Sequence, residues 1–278
     1  MAANHYAMQS AVTVSLVPEA RGGPFVFWNG LKDACQRAAE LGFNGIEVFP
    51  RSAEEVDWKR LRALLEQHKL KLAAVGTGAG WLVHKFRLTD PDASVRERAQ
   101  AFAGEIIDCA GPLGAPAIIG SMQGRCDGQV DRQQALAWLG EALEQLAGRA
   151  ARHNVPVLLE PLNRYETNVL NTVAESISFI KSLRATNVKL LADLFHMNIE
   201  EADTASALHT ASRRLGHVHF ADSNRRAIGF GHTNVEAIIA ALREIRYDGW
   251  LSAEILPLPD SETAAAQTIK AFRQYTTP

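Results

Sequence analysis

Eight short apolar runs alternate with longer segments of helical periodicity, and this alternation constrains the fold more than any other feature of the sequence. The runs occupy residues 11–17, 45–49, 72–76, 117–120, 157–159, 188–193, 217–221 and 250–255. Helix-period segments follow at residues 31–41, 58–68, 93–110, 133–153 and 173–183, others follow the sixth and seventh runs, and a last helix near 263–275 closes the chain. Apolar runs of strand length predict strands covered on both faces. Regular strand–helix order predicts a parallel sheet. Eight such units with no linker and no break in composition predict one domain over residues 1–278, a single (β/α)8 TIM barrel of the α/β class. The alternative, an open doubly wound sheet, would more often carry GxGxxG or a P-loop after its first strand, and VPEARGGPF is neither.

Composition narrows the partners. Hydrophobic residues at 47% and charged residues at 22% are the proportions of a soluble protein with a substantial core. A net charge of −2 gives no field to draw a nucleic-acid backbone. The three cysteines, Cys35, Cys109 and Cys126, are odd in number and widely spaced, so they form neither a disulfide framework nor a CxxC metal site. The opening MAANHYAMQS lacks a basic leader region, and the apolar AVTVSLV after it is too short to span a bilayer. These features predict a cytoplasmic protein acting on a small molecule, with no nucleic-acid or membrane partner.

The later strands carry the chemistry. The fifth lies in PVLLEPLNRYE (residues 156–166), delivers Glu160 and stops at Pro161, which cannot donate to a central ladder. The sixth, KLLAD, ends at Asp193; the seventh, HVHF, carries His219; the eighth, LSAE, ends at Glu254. In a barrel all four strand ends open into one mouth. Singly, each has an ordinary reading, such as a core histidine for His219 or a helix cap for Asp193. In series they do not, because three unpaired carboxylates buried together repel strongly. A divalent cation relieves that repulsion. Three carboxylates with one imidazole favour Mn²⁺ or Mg²⁺, with Co²⁺ an acceptable substitute, over a structural zinc. Such an ion, chelating a hydroxyl and an adjacent carbonyl, acidifies the neighbouring C–H and stabilises a cis-enediolate. Glu160 and Glu254 come from strands separated by two others, so they can flank the substrate carbon as base and acid.

Polar residues recur just beyond these ligands. Glu166 follows Glu160 by six positions, His196 follows Asp193 by three and Arg225 follows His219 by six, each in a loop where it can hold sugar hydroxyls. Solvated or helix-capping roles are the competing readings. The glycine-rich GFGH (residues 229–232) reads as a flexible loop in preference to a phosphate cradle. Trp28 and Trp81 are wall candidates or packing between loops.

EPLNRYET, ADLFHMN, HVHFADSNRR…GFGH and SAEILPLP resemble the ketose 3-epimerases of the xylose-isomerase-like barrels, a group including D-tagatose and D-psicose 3-epimerases and 5-keto-L-gluconate epimerase-like proteins. The resemblance is strongest over residues 156–259 and extends to GTG at 76–78 and IIGSMQGR at 118–125. It implies metal ligation by Glu160, Asp193, His219 and Glu254, proton transfer by Glu160 and Glu254, and substrate binding by Glu166, His196 and Arg225. It also implies Mn²⁺ as the preferred ion, and homodimers or homotetramers. Ile228 stands where that family usually has proline and Asn234 where aspartate is common, changes that bear on substrate choice more than on chemistry.

The leading expectation is therefore a metal-dependent epimerase of a free ketose or keto-sugar acid at C3. Aldose–ketose isomerisation, as by hydroxypyruvate isomerase, and dehydration of a keto-inositol are alternatives that would use the same residues. An apurinic-site endonuclease would show a histidine-richer, multi-zinc site and a basic face. A non-catalytic sugar-binding module would not need two opposed acids.

Overall fold

Strands β1 (Gln9–Ser15), β2 (Gly45–Phe49), β3 (Lys71–Gly76), β4 (Ala117–Ile119), β5 (Val157–Leu159), β6 (Val188–Asp193), β7 (Leu215–His219) and β8 (Trp250–Ala253) pair in chain order, and β8 returns to β1 to close a barrel. All eight pairings are parallel. This computed structural model describes residues 7–277. Residues 1–6, part of the opening stretch read for a leader, lie outside them. Among the described residues no helix is long and apolar enough to cross a membrane.

The connecting helices are α1 (Leu31–Leu41), α2 (Trp58–His68), α3 (Ala79–Leu82), α4 (Ala93–Ala110), α5 (Arg132–Ala151), α6 (Val173–Ser182), α7 (Leu194–Glu200), α8 (Thr204–Ala211), α9 (Val235–Glu244) and α10 (Ser261–Thr276). Most of their starts are fixed by short polar side chains: Asp57, Asp92, Asp131, Thr172, Asp203, Asn234 and Asp260 each accept a first-turn amide. Their apolar stripes pack against the outside of the barrel, where the main core lies.

Several strand boundaries differ from the sequence expectation, most of all in β1, β7 and β8. β1 begins at Gln9 because that amide donates to Gly249 O and Ser10 bonds to the Asn44 side chain, so polar residues enter the ladder. β7 begins at Leu215, not His217, because Leu215 pairs with Leu190. A one-residue register shift after Leu190 then sets His217 beside Leu191 and His219 beside Asp193. β8 stops at Ala253, leaving Glu254 one residue beyond it. The glycine-rich TGAGW segment (residues 77–81) closes into the short helix α3, with Trp81 and Leu82 amides donating to Gly78 O.

Register and alternation assign the inner face of the barrel. In its middle, Ala74, Ile118, Leu158 and Leu191 form a separate apolar cluster on β3–β6. The other flank is polar and equally buried: Thr13, Glu47, His217 and Ser252 are each at most 4% exposed. One layer nearer the mouth come Phe49, Gly76, Gly120, Glu160, Asp193, His219 and Glu254.

Candidate active site

Four side chains converge at the carboxyl ends of β5–β8. Glu160 follows β5, Asp193 ends β6, His219 ends β7 and Glu254 follows β8. One ligand atom from each lies within 4.8 Å of the others. His219 Nδ1 stands 3.2 Å from Glu160 Oε1, 3.4 Å from Asp193 Oδ2 and 3.5 Å from Glu254 Oε2. Asp193 serves two purposes: Oδ1 accepts the Phe195 amide at 2.8 Å and caps α7, while Oδ2 faces the cluster. Asp193 thus caps α7 and faces the cluster at the same time.

The cluster calls for positive charge. Burial opposes ionisation of His219, but Glu254 and Glu47 outweigh it and hold the imidazole well above its ordinary range. Burial works against the Asp193 carboxylate, yet His196, His219 and Arg225 keep it below the usual carboxylate range. Burial lifts the Glu254 carboxyl to about 7, with Glu160 and Asp193 pushing it up against His219 and Arg225. Glu160 Oε1 is buried and makes no hydrogen bond despite its approach to His219. An unsatisfied buried carboxylate oxygen, two further carboxylates and one imidazole nitrogen fit a divalent cation.

The three second-layer residues are also brought here. Arg225 Nη2 lies 2.7 Å from Glu254 Oε2 and 3.7 Å from Asp193 Oδ2, and Nη1 lies 3.5 Å from Glu166 Oε1. In this state, therefore, Arg225 is paired with cluster acids. Its guanidinium also stacks over Phe195, 4.9 Å from the ring centre. Both the Asn163 amide and its side-chain nitrogen approach His196 Nδ1, at 3.3 Å and 2.7 Å. A backbone N–H can only donate, so Nδ1 accepts and Nε2 carries the ring proton. That Nε2 is buried, without a hydrogen-bond partner, 3.6 Å from Asp193 Oδ2. Asn163 Nδ2 also donates to Glu166 Oε1 at 3.1 Å, so one asparagine orients both neighbours. Arg164 turns outward to Glu200.

A cavity of about 340 Å³ opens over the cluster, within the range of small-molecule pockets. Phe25, Phe49, Trp81 and Leu82 supply apolar wall, and Glu166, His196 and Arg225 reach the same space. Trp81 is a wall residue. Trp28 does not line the cavity; its indole N–H bonds to Phe25 O and its ring packs edge-on behind Phe25. GFGH is no phosphate cradle: the Asp222 carboxylate accepts the amides of Gly229, Gly231 and Thr233, occupying the donors an anion would use. A Cβ on Gly231 would stand 2.4 Å from Asp222 Oδ1, which is why the loop needs glycine there.

Sequence reasoning passed over Glu47, Asn163 and Phe25. Glu47 was visible as a lone acid inside the apolar strand GIEVF, on the alternation that faces inward. Nothing in the sequence marked Phe25 as nearer the cavity than Trp28.

The fold and the mouth constellation define a barrel enzyme built to act on a small polar molecule. The chain belongs to the xylose isomerase-like TIM barrel family, which it matches over residues 35–275, and within it to the ketose 3-epimerases and their relatives. It is 31% identical over 260 residues to a D-psicose 3-epimerase of Agrobacterium fabrum, covering 91% of this chain and 85% of the relative. It is 39% identical over 116 residues, 42% of this chain and 44% of the relative, to a 3-dehydro-D-guloside 4-epimerase of Escherichia coli. Among solved structures, a D-allulose 3-epimerase from Methylomonas sp. superposes with a TM-score of 0.82 at 25% identity, covering 97% of this chain and 98% of the other. The protein is accordingly an isomerase, a carbohydrate epimerase.

Proposed function

We propose that the protein is a cation-dependent epimerase of a free ketose, acting at C3 beside the carbonyl, with residues 1–278 forming one barrel domain. The observation that carries this reading is the convergence of Glu160, Asp193, His219 and Glu254 within 4.8 Å beneath a sugar-sized cavity. Those four residues would hold the ion, Mn²⁺ before Co²⁺ or Mg²⁺. When bound, it would supply positive charge that eases removal of the C3 proton by way of a cis-enediolate.

This chain's own groups perform the rest. One of Glu160 and Glu254 removes the C3 proton, and the other returns a proton to the opposite face. Arg225, within hydrogen-bond reach of Glu254, releases it to hold substrate oxygens as the sugar enters. His196 donates its unpartnered Nε2–H to a substrate oxygen, and Glu166 accepts a hydroxyl at the half-exposed rim. Trp81, Phe25 and Leu82 exclude water from the reacting carbon. The free cysteines suit a reducing, cytoplasmic setting, and assembly as a homodimer or homotetramer belongs to the same reading.

The test is a panel of ketoses incubated in D₂O with Mn²⁺-loaded protein and followed by NMR. The expected product is the C3 epimer labelled at C3, lost on chelation and restored by Mn²⁺. Full turnover by demonstrably metal-free protein would overturn the mechanism. The match to the Escherichia coli 4-epimerase favours one other outcome, inversion at C4 of a 3-keto sugar, which uses the same proton chemistry one carbon away.

A further inference from the structure

Glu47 lies on β2, on the far side of the barrel from the ligand strand β7, and is 4% exposed. Its two oxygens are divided between two histidines. Oε2 stands 2.9 Å from His217 Nε2, and Oε1 stands 3.2 Å from His219 Nε2. His219 therefore has opposite duties at its two nitrogens: Nδ1 faces Glu160, Asp193 and Glu254, and Nε2 faces Glu47.

A nitrogen that donates its lone pair to a cation cannot carry a proton, so the ring must hold its proton at the other nitrogen. A carboxylate accepting that proton fixes both the tautomer and the ring plane. Glu47 stays in unbroken register with Thr13 of β1, on the alternation that faces inward, while the β2–β3 pairing slips beside it, the partner jumping from Leu72 to Ala74 so that the extra residue lies on β3. A second shift, between Leu190 and Leu191, aligns His217 and His219 on the inner face opposite. His217 occupies the other oxygen of Glu47, so the carboxylate cannot turn away from His219.

We propose that Glu47 is a positioning residue that, anchored by His217, holds His219 as the Nε2–H tautomer and so presents Nδ1 to the cation cluster. The inference rests on the cation reading of the proposed function. It assigns no second ion to Glu47, His217 and His219, although these three also lie within ligand distance of one another. Their separations are those of hydrogen bonds.

Glutamine at this position cannot serve both rings, because an amide offers one acceptor and one donor where two N–H groups need acceptors. In Glu47→Gln, Mn²⁺ affinity measured by calorimetry should fall about 10- to 100-fold, and Glu47→Asp, which keeps the charge, should recover part of it. In long-range ¹H–¹⁵N NMR of the unaltered, Mg²⁺-loaded protein, His219 and His217 should both carry their protons at Nε2. This second measurement stands even where Glu47→Gln does not fold. A His219 proton at Nδ1, unchanged Mn²⁺ affinity in folded Glu47→Gln, or two Mn²⁺ per chain by elemental analysis would each overturn the inference alone. Absence of Mn²⁺ and Mg²⁺ binding by the unaltered protein would overturn the cation reading with it.

Discussion

The mouth of this barrel has two unlike halves. On β5–β8 the inner residues at the rim are Glu160, Asp193, His219 and Glu254; at the same level on β2–β4 they are Phe49, Gly76 and Gly120. One half supplies charge, and the other supplies room. The glycines are what keep that room open. A Cβ on Gly120 would stand 2.4 Å from Glu160 Oε2, and one on Gly76 would stand 2.7 Å from the Phe49 ring. The contrast teaches that four converging polar side chains need an opposing surface that is apolar and, at Gly76 and Gly120, free of side-chain bulk. In the proposed function, ion and sugar reach the four groups across that surface. Glu47, one layer deeper, is where the uncharged half reaches across to support the charged one.

The contrast breaks first on the charged side. Glu160→Gln and Glu254→Gln should each lower epimerisation by about 10² to 10⁴, the usual worth of a positioned acid or base. Glutamine keeps the shape and a carbonyl oxygen, so each variant is to be metal-loaded and its occupancy checked. NMR in D₂O then scores label and configuration separately. A variant with one base left should exchange the C3–H from one face and return the same sugar labelled. Undiminished epimerisation by either variant would refute the two-base assignment.

On the uncharged side, Gly120→Ala tests whether emptiness matters as much as charge. The added methyl must displace the Glu160 carboxylate, and a misplacement near 1 Å costs about 10²-fold in rate. Steady-state kinetics should show kcat falling by that order while the circular-dichroism spectrum is kept. Arg225→Ala removes a group that pairs with Glu254 and Asp193 and that, in the proposed function, holds the sugar. KM should rise about tenfold or more, equivalent to one lost charge-assisted hydrogen bond, with Mn²⁺ content unchanged by elemental analysis. Loss of the metal would move Arg225 from the substrate to the ion.

The smallest effect concerns the loop that frames the charged half. Burial works against the Asp222 carboxylate, but amides from Thr233, Ser223 and Gly231 outweigh it and hold it below the usual carboxylate range. A carboxyl depressed on folding stabilises the native state above the unfolded pKa, and that stabilisation is lost as pH falls through the folded value. Asp222→Asn should therefore cost about 1–3 kcal/mol near neutrality. In urea melts the gap from the unaltered protein should be constant down to pH 4 and shrink below it. A gap independent of pH would show that shape, not charge, organises GFGH.

Much of the site was legible because strand chemistry is local. A buried apolar run ending in an acid or a histidine announces itself, and four in succession gave Glu160, Asp193, His219 and Glu254 without any coordinates. The eightfold alternation likewise determined the barrel, since strand and helix periods are read from neighbours a few positions apart. Registers, by contrast, depend on which residues of two distant segments face each other. The sequence could not place the slips beside Glu47 and Leu190, and so could not show Glu47 reaching His219 across 172 positions. Nor could it show that Asp222 fills the GFGH amides, or that Phe25 and not Trp28 faces the cavity. Pattern along the chain determined which groups this protein has to work with; packing across the barrel decided which of their atoms face one another.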